Sequence, residues 1–249
     1  MPNKSLPLEN RVAIVTGGSR GIGAGIAETL ASRGAKVAIT FTSEMNKIKG
    51  FGTSADAITI QADLRNVASA KLIVDTTVKA FGPVIHILVN NAGVSYKGAS
   101  IGTTSIEDHN SIFDVNVRAV FFMGEAVAPH LPNKGGRIIN IGSAAGREPF
   151  GLPIYCASKA AIEGFTRCWA AELGSKGHTV NQVNPGAVET DMLREVDISV
   201  TNMLKAMTHM ENRFGQPQDI ADVVGFLAEE SSRWITGQVI SASGGLAMY

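Results

Sequence analysis

The sequence is poor in cysteine, and its charges cancel. Two cysteines among 249 residues, Cys156 and Cys168, provide neither a disulfide framework nor the spacing of a metal site, and they favour a reducing intracellular compartment. Lysine plus arginine number 22, as do aspartate plus glutamate, so nothing in the charge balance attracts a nucleic acid or an anionic membrane surface. The composition therefore predicts no disulfide, no metal and no nucleic-acid partner.

Long hydrophobic runs are missing as well. No apolar stretch reaches about 18 residues without a charge, which argues against a membrane span. Residues 1–10 contain prolines and charges rather than the apolar segment of a secretory signal. What the sequence does contain is 45% hydrophobic residues and 27 glycines, a composition typical of a globular chain with many tight turns. A cytoplasmic protein without membrane contacts is the prediction.

Short apolar segments alternate with helical patterns along the chain. The predicted strands are 12–15, 37–41, 57–62, 85–89, 136–141, 179–183 and 238–241. The predicted helices are 24–33, 67–81, 105–130, 155–176 and 219–229. Such alternation indicates an α/β fold with a parallel sheet and helices on both faces. Because neither linkers nor repeats are visible, we expect one domain spanning residues 1–249.

The first predicted strand leads into a glycine-rich turn, Gly17-Gly18-Ser19-Arg20-Gly21-Ile22-Gly23, which opens a helix. Glycines let the backbone approach a pyrophosphate closely, and the helix N-terminus presents free N–H groups and a positive dipole end. An ordinary strand-to-helix turn needs one or two glycines, whereas Gly17, Gly21 and Gly23 occur here together. The pattern favours a dinucleotide site.

The end of the second strand bears on which dinucleotide binds. NAD-selective sites usually carry an acidic residue there, which binds the ribose 2′-hydroxyl. This chain has Thr42 and Ser43, whose hydroxyls can donate to a 2′-phosphate, and Arg20 adds a cation on the same side. The pattern favours NADP(H) over NAD(H), although Glu44 lies close enough to weaken the argument and Arg20 has the alternative of a solvated loop charge. The glycine-interrupted segment 44–56 predicts a stunted crossover helix.

Polar residues follow two further strands at the same predicted sheet edge. Asn90-Asn91-Ala92-Gly93 comes directly after the fourth strand, and Ser143 follows the fifth. Ligands of open parallel sheets bind at this edge, so we expect these residues to line a crevice. Asn116 lies in the middle of a predicted helix among apolar residues, and both a solvent-facing position and a buried, partnered one are open to it.

Tyr155 and Lys159 lie four residues apart on a predicted helix, which places both side chains on one face. A cation within about 4–6 Å favours the phenolate and lowers a phenol pKa from its usual value near 10. The pair is therefore a candidate acid–base device; the alternative is a lysine that extends to solvent beside a half-buried ring. The methionine-rich segment 192–210 is either core or interface packing, or a lid over the crevice.

Taken in order, these motifs resemble the short-chain dehydrogenase/reductase family in its single-domain branch, from about Arg11 onward. The resemblance implies a Rossmann fold with a doubly wound, seven-stranded parallel sheet. It also implies hydride transfer between NADP(H) and a ketone or secondary alcohol, as in NADPH-dependent ketone reductases. Tyr155 would then exchange the proton, and Lys159 would tune the tyrosine and hold the nicotinamide ribose. Ser143 would polarise the carbonyl, and Asn116 would support a water chain.

The resemblance further implies a set of coenzyme contacts. Asp63 would meet the adenine, Asn90 the adenosine side, Ile22 N–H the pyrophosphate, and Val188 with Thr190 the carboxamide. The whole implied set is Gly17, Ser19, Arg20, Gly21, Ile22, Gly23, Thr42, Ser43, Asp63, Asn90, Ala92, Gly93, Tyr155, Lys159, Pro185, Gly186, Val188 and Thr190. One departure from the family pattern is Ser243, where many members have an aspartate before two glycines.

Partners and rival functions follow from the same resemblance. Helices 105–130 and 155–176 are expected to supply a subunit interface, giving a homotetramer or homodimer. The pocket walls 94–104, 144–153 and 185–210, with a lid at about 190–212, suggest a small apolar or aromatic carbonyl substrate. Two other functions stay open: an enzyme of the same fold that performs imine reduction, epimerisation or dehydration, and a non-catalytic NADP(H)-sensing regulator.

Overall fold

A seven-stranded parallel sheet forms the centre of the computed structural model, which describes residues 6–43, 56–96 and 101–249. The strand order is β3-β2-β1-β4-β5-β6-β7. The strands are β1 (Val12–Val15), β2 (Lys36–Phe41), β3 (Ala57–Gln61), β4 (Ile87–Asn90), β5 (Arg137–Ile141), β6 (Thr179–Pro185) and β7 (Val239–Ala242). The chain reverses its winding direction between β1 and β4, and at such a switch point a crevice opens outside the strand ends. The predicted fold class is confirmed.

Helices cover both faces of this sheet. They are α1 (Gly21–Ser32), α2 (Ala68–Phe81), α3 (Ile106–Phe113), α4 (Ala119–Val127), α5 (Pro153–Gly174), α6 (Asp191–Arg194), α7 (Ile198–Met207) and α8 (Pro217–Ala228). Within the described ranges, no helix is both long and apolar enough to cross a membrane.

Two apolar clusters hold the layers together. Ala13 and Val15 of β1 point to one face, where α1 and α8 pack, whereas Ile14 points to the other face, where α2, α4 and α5 pack. All three residues are fully buried, which explains why the strand is apolar on both sides instead of alternating. The carboxyl ends of the strands are therefore held in place by apolar packing on both faces of the sheet.

The prediction of one continuous helix over 105–130 is wrong. The helical pattern is divided into α3, a π-helical turn at Asp114–Arg118, α4 and a 3₁₀ turn at Ala128–His130. A π turn inserts one extra residue into a helix, and such turns are frequent at functional sites. Here the turn contains Asn116, which is fully buried.

Other boundaries differ by a few residues. Helix α1 begins at Gly21 rather than Ala24, because the glycine turn itself supplies the first helical residues. The methionine-rich segment forms two helices, α6 and α7, and the Asp197 side chain caps the second by accepting the Ser199 N–H at 2.7 Å. The predicted crossover segment, residues 44–56, lies outside the described residues except for Asp56, so Glu44 lies outside them too.

Candidate functional site

The glycine-rich turn packs tightly against the segment that follows β4. Gly17 has φ +63°, and a Cβ there would lie 3.0 Å from Ala92 Cα. A Cβ at Gly23 would overlap the Gly17 carbonyl and the Asn91 amide. The Asn91 Nδ2 donates to the carbonyls of Thr16 and Gly17 at 2.9 and 3.1 Å. Only glycine fits at these two positions, and an asparagine at the strand edge fixes the turn.

The first turn of α1 contributes no anionic side chain of its own. Arg20 occupies the N-cap position with extended backbone, it provides no side-chain cap, and the first turn contains no acidic residue. Gly21, at φ +53°, lies against Thr190 on the other side of the crevice, where a Cβ would be 3.1 Å from Thr190 Cγ2. An uncapped helix start with its positive dipole end fits the pyrophosphate of a dinucleotide.

The Arg20 side chain is largely exposed but forms an ion pair. Its guanidinium lies 3.3 Å from the Asp191 carboxylate at the start of α6, although 63% of the side chain is exposed. An ion pair this exposed contributes little stability, so the guanidinium can exchange partners at small cost. Thr42 and Ser43, which directly follow β2, are exposed.

Asp63 and Asn90, the two residues predicted to contact the adenosine, differ in their hydrogen-bond partners. The Arg65 guanidinium holds the Asp63 carboxylate at 2.6 and 3.0 Å and lowers its pKa. Asn90 is 2% exposed and its Nδ2 donates to Asn140 Oδ1 at 2.9 Å. Its own Oδ1 is buried and has no hydrogen-bond partner in the described part of the chain. A buried acceptor without a donor, next to the switch point, fits a hydrogen bond from a bound coenzyme.

Asn116 is buried, and both ends of its side-chain amide are hydrogen-bonded. Its Oδ1 accepts the Val94 N–H at 2.9 Å, and its Nδ2 donates to the Val94 carbonyl at 2.9 Å and to Ser158 Oγ at 3.1 Å. One amide thus ties the π turn to the loop after β4 and to α5. The solvent-facing alternative is excluded.

Ser143 and Tyr155 meet at the mouth of the crevice. Ser143 comes after β5, and Tyr155 lies in the first turn of α5. A hydrogen bond with Ser143 lowers the pKa of the half-buried phenol, but burial raises it more, so that the pKa of Tyr155 is above its ordinary value. The expectation of a lowered phenol pKa is wrong for this structure.

Lys159 does not offset the effect of burial on the pKa of Tyr155. Its side chain is 4% exposed, so it does not extend to solvent, and burial lowers its pKa to about 8. The Nζ donates to the Ile141 carbonyl at 3.0 Å and lies 5.8 Å from the centre of the Tyr155 ring. Spacing brings the ammonium onto the correct face, but the same burial penalises both charged forms.

Gly93 marks the point where these side chains converge. A Cβ there would lie 3.3 Å from Lys159 Nζ and 3.4 Å from Asn116 Oδ1. Glycine at this position avoids a tight contact with the lysine ammonium and the Asn116 amide. Lys159 and Asn116 therefore both flank Gly93, Lys159 lies beside the Tyr155 ring, and Ser143 acts on the Tyr155 phenol; their catalytic roles stay predictions.

The exit of β6 forms the opposite wall. A Cβ at Gly186 would lie 3.0 Å from Ser243 Cα, the Val188 backbone pairs with Gly215, and Thr190 Oγ1 donates to the Val188 carbonyl at 3.3 Å. Ser243, the departure noted above, accepts the Ala247 N–H at 3.1 Å. Pro185, Gly186, Val188 and Thr190 thus lie together at the end of β6, and their contact with the carboxamide stays a prediction.

Sequence reasoning missed several polar groups behind this wall. Asn140, Gln182 and Asn184 are fully buried in β5 and β6, and Arg147 pairs with Glu163 through two bonds of 2.8 and 2.9 Å. The available signal was an amide side chain at strand positions where an apolar residue is usual.

Comparisons with known proteins agree with this geometry. The sequence model of the family described as enoyl-(acyl carrier protein) reductase matches residues 17–247. The chain is 45% identical to dehydrogenase OXI1 of Cochliobolus heterostrophus over 86% of this chain and 97% of that protein. It is 40% identical to hydroxynaphthalene reductase arp2 of Aspergillus fumigatus over 95% of this chain and 92% of that protein.

A solved structure gives the same result. The short-chain dehydrogenase from Burkholderia cenocepacia in complex with NADP is 37% identical, with a TM-score of 0.87 over 96% of this chain and 99% of that chain. The crevice at the switch point, the uncapped glycine turn and the tyrosine–lysine–serine group thus occur together with relatives that match over nearly the whole chain. This protein belongs to the short-chain dehydrogenase/reductase family.

Proposed function

We propose that this protein transfers a hydride between NADP(H) and a ketone or secondary alcohol of a small molecule. The observation that carries the proposal is the meeting of Ser143, Tyr155 and Lys159 beside an uncapped glycine turn. The bound coenzyme supplies the hydride, and the protein supplies binding, orientation and proton transfer.

The protein's own contribution is a proton at the Tyr155 hydroxyl. During reduction the phenol gives this proton to the carbonyl oxygen, and during oxidation the phenolate takes it from the alcohol. Because burial raises the pKa of Tyr155, the phenol is protonated at neutral pH, which suits reduction. The Ser143 hydroxyl polarises the same carbonyl oxygen. Asn116 fixes the loop at Val94 and supports the water chain that restores the proton.

The coenzyme contacts are assigned as follows. Residues of the glycine turn, Gly17, Ser19, Gly21, Ile22 and Gly23, receive the pyrophosphate. Ala92, Gly93 and Lys159 lie beside the nicotinamide ribose, and Pro185, Gly186, Val188 and Thr190 beside the carboxamide. Thr42, Ser43 and Arg20 take the 2′-phosphate, and Asp63 and Asn90 the adenosine side. The unpartnered Asn90 Oδ1 supports this placement.

The substrate we infer is apolar or aromatic. The walls carry Tyr96, whose hydroxyl accepts the Ile154 N–H at 3.3 Å, and Met192, which is 41% exposed at the start of the lid. Exposed apolar side chains continue along α7, namely Ile198, Val200, Met203 and Met207. We propose that residues 1–249 form one domain of a cytoplasmic protein. A lid of about residues 190–212 is inserted in this domain and closes over the crevice. The name of the Aspergillus relative, a hydroxynaphthalene reductase, supports an aromatic ketone.

A screen of coenzyme oxidation across aromatic ketones, quinones and imines tests this proposal. Turnover of a ketone with NADPH is the expected result. Turnover of imines alone would favour the second candidate, a related enzyme acting on another group. Coenzyme binding without turnover of any compound would favour the sensor, which the complete set of catalytic side chains argues against.

Coenzyme selectivity yields one prediction. NADPH should bind more than about tenfold tighter than NADH, and Arg20→Ala should reduce that ratio by about tenfold because a charge-assisted bond to the 2′-phosphate is lost. Fluorescence titration of both coenzymes measures the ratio. The matched control is Arg194→Ala, since Arg194 also pairs with Asp191, at 3.1 Å, and is 78% exposed. Equal affinities in the wild type, or equal effects of both variants, would contradict the assignment.

Self-association yields another prediction. Helices α4 and α5 carry Phe121, Phe165 and Trp169, with ring centres of Phe121 and Phe165 5.6 Å apart and those of Phe165 and Trp169 5.5 Å apart. Trp169 is buried, whereas Phe121 and Phe165 are partly exposed above it, and we propose that these two phenylalanines contribute to the interface of a homotetramer or homodimer. Light scattering at micromolar concentration should give a multiple of 26.1 kDa, and Phe165→Glu should lower it. A monomeric wild type would rule this interface out.

A further inference from the structure

A line of polar side chains runs behind the candidate active site. Asn140 Nδ2 donates to Thr166 Oγ1 at 2.9 Å, and that hydroxyl donates to Gln182 Oε1 at 3.4 Å. Gln182 Nε2 donates to Asn184 Oδ1 at 2.7 Å, and Asn184 Nδ2 donates to the Tyr249 hydroxyl at 2.7 Å. The first four residues are fully buried, so the line ends at the phenol of Tyr249.

The amide pair of this line contacts the residue before Ser143. A Cβ at Gly142 would overlap Asn184 Oδ1 and Gln182 Nε2, and the Gly142 N–H donates to the Val183 carbonyl at 2.8 Å. The backbone that enters Ser143 therefore rests directly on the two amides. The Tyr249 hydroxyl accepts a bond from Asn184 Nδ2 and so orients the Asn184 amide, whose Oδ1 in turn accepts from Gln182 Nε2.

The other end of the same segment also meets Tyr249. After Ser143 the chain makes a 3₁₀ turn at Ala144–Gly146, and the next residue, Arg147, places its guanidinium carbon 4.1 Å from the centre of the Tyr249 ring. A cation over a ring face at this distance is attracted to it. Arg147 is held in turn by Glu163, one helical turn beyond Lys159.

We propose that Tyr249 is a positioning residue for the reaction, which holds the Ser143 hydroxyl against Tyr155 by fixing both ends of the segment 142–147. Its hydroxyl orients the amides under Gly142, and its ring holds Arg147. This inference rests on the proposed function for its kinetic consequence, whereas its structural consequence, the influence of Ser143 on the Tyr155 phenol, can be measured without a substrate.

The consequence appears in the titration of Tyr155. The groups that act on this phenol are Ser143 from the loop after β5, and Cys156 and Lys159 from α5. Of these, Ser143 lowers the phenol pKa through a hydrogen bond. If Tyr249 positions Ser143, loss of the Tyr249 hydroxyl weakens this bond and raises the pKa of Tyr155. A residue that only adds stability would leave that pKa unchanged.

Tyr249→Phe is the test, because it keeps the ring over Arg147 and removes only the hydroxyl. In the oxidation of 1-tetralol with NADP⁺, we expect kcat near neutral pH to fall about tenfold and the apparent pKa of kcat to rise by about one unit, with rates converging at high pH. NADPH affinity should stay within about twofold, since the coenzyme contacts lie elsewhere.

A second measurement needs no turnover. The pH titration of tyrosinate absorbance is recorded for Tyr249→Phe and for the double variant Tyr249→Phe/Tyr155→Phe, and the difference between the two curves is the ionisation of Tyr155 in the variant. The difference between the curves of the wild type and Tyr155→Phe gives the reference pKa. The matched control is Thr77→Val, which removes a fully buried hydroxyl bonded to the Ile73 carbonyl of α2, and which should leave the pKa of Tyr155 unchanged.

The outcomes separate the two proposals. A raised Tyr155 pKa in Tyr249→Phe alone supports the positioning role, whether or not 1-tetralol is oxidised. An unchanged Tyr155 pKa in a folded Tyr249→Phe protein overturns it, as does an equal rise in Thr77→Val. Failure of the wild type to oxidise or reduce any carbonyl compound counts against the proposed function only.

Discussion

Tyr155→Phe is expected to lower kcat by about 10²–10⁴, the range typical of a lost general acid–base group, and to leave NADPH binding close to the wild-type value. The phenyl ring fills the same half-buried space, and the glycine turn proposed to receive the pyrophosphate is untouched. What disappears is the proton that burial keeps on the phenol at neutral pH. Rates of NADPH oxidation with an active ketone, and fluorescence titration of NADPH, measure the two effects separately.

The direction of the reaction provides an internal control for this variant. Oxidation needs the phenolate, so in the wild type its rate should rise with pH until the raised pKa of Tyr155 is passed, whereas reduction should be nearly flat through neutral pH. The variant should show no rise with pH in the oxidation direction. Full activity of Tyr155→Phe, or a rise with pH that survives the substitution, would show that another group moves the proton.

Gly23→Ala is expected to abolish tight coenzyme binding, by about 10² or more in Kd, and to destabilise the protein by about 1–3 kcal/mol. A Cβ at this position overlaps the Gly17 carbonyl and the Asn91 amide, and neither can retreat, since Asn91 is bonded to the turn itself. The turn would have to open away from the helix start. Thermal unfolding and NADPH titration measure the two effects.

Gly174→Ala serves as the matched control. Gly174 ends α5 and is exposed, and a Cβ there would meet no atom within 4 Å beyond its own chain neighbours and helix backbone. Alanine there should leave NADPH binding unchanged and leave stability equal or slightly higher, because alanine restricts the unfolded chain. A Gly23→Ala protein that binds NADPH and unfolds like this control would refute the close-approach argument.

The layout of the sheet could be predicted because its signals are local. Val12–Val15 is apolar on both faces and bounded by polar and glycine residues, and the same holds for the strand ending at Asn90. Burial on both sides leaves no alternation, and the helical periods between strands supply the crossovers. The site could be located for a related reason: polar residues that follow parallel strands meet at one edge.

What escaped prediction depends on contacts distant in sequence. The π turn exists where Asn116 bonds the Val94 backbone, 22 residues away, and no periodicity within 105–130 reports that partner. The Tyr249 bond to Asn184 spans 65 residues. The pKa of Tyr155 was mispredicted because spacing places Lys159 nearby but says nothing of how far either group is removed from water.

The π turn also fixes how two surfaces are oriented. Each residue of a helix turns the chain by about 100°, so the extra residue at Asp114–Arg118 rotates everything after it. Before the turn, α3 keeps its Ser105 cap; after it, α4 presents Phe121 to Phe165. In a regular helix through the same residues, either Asn116 would point away from the Val94 backbone or Phe121 would point away from Phe165. One backbone irregularity therefore sets the orientation of the Asn116 amide and of the Phe121 ring at once.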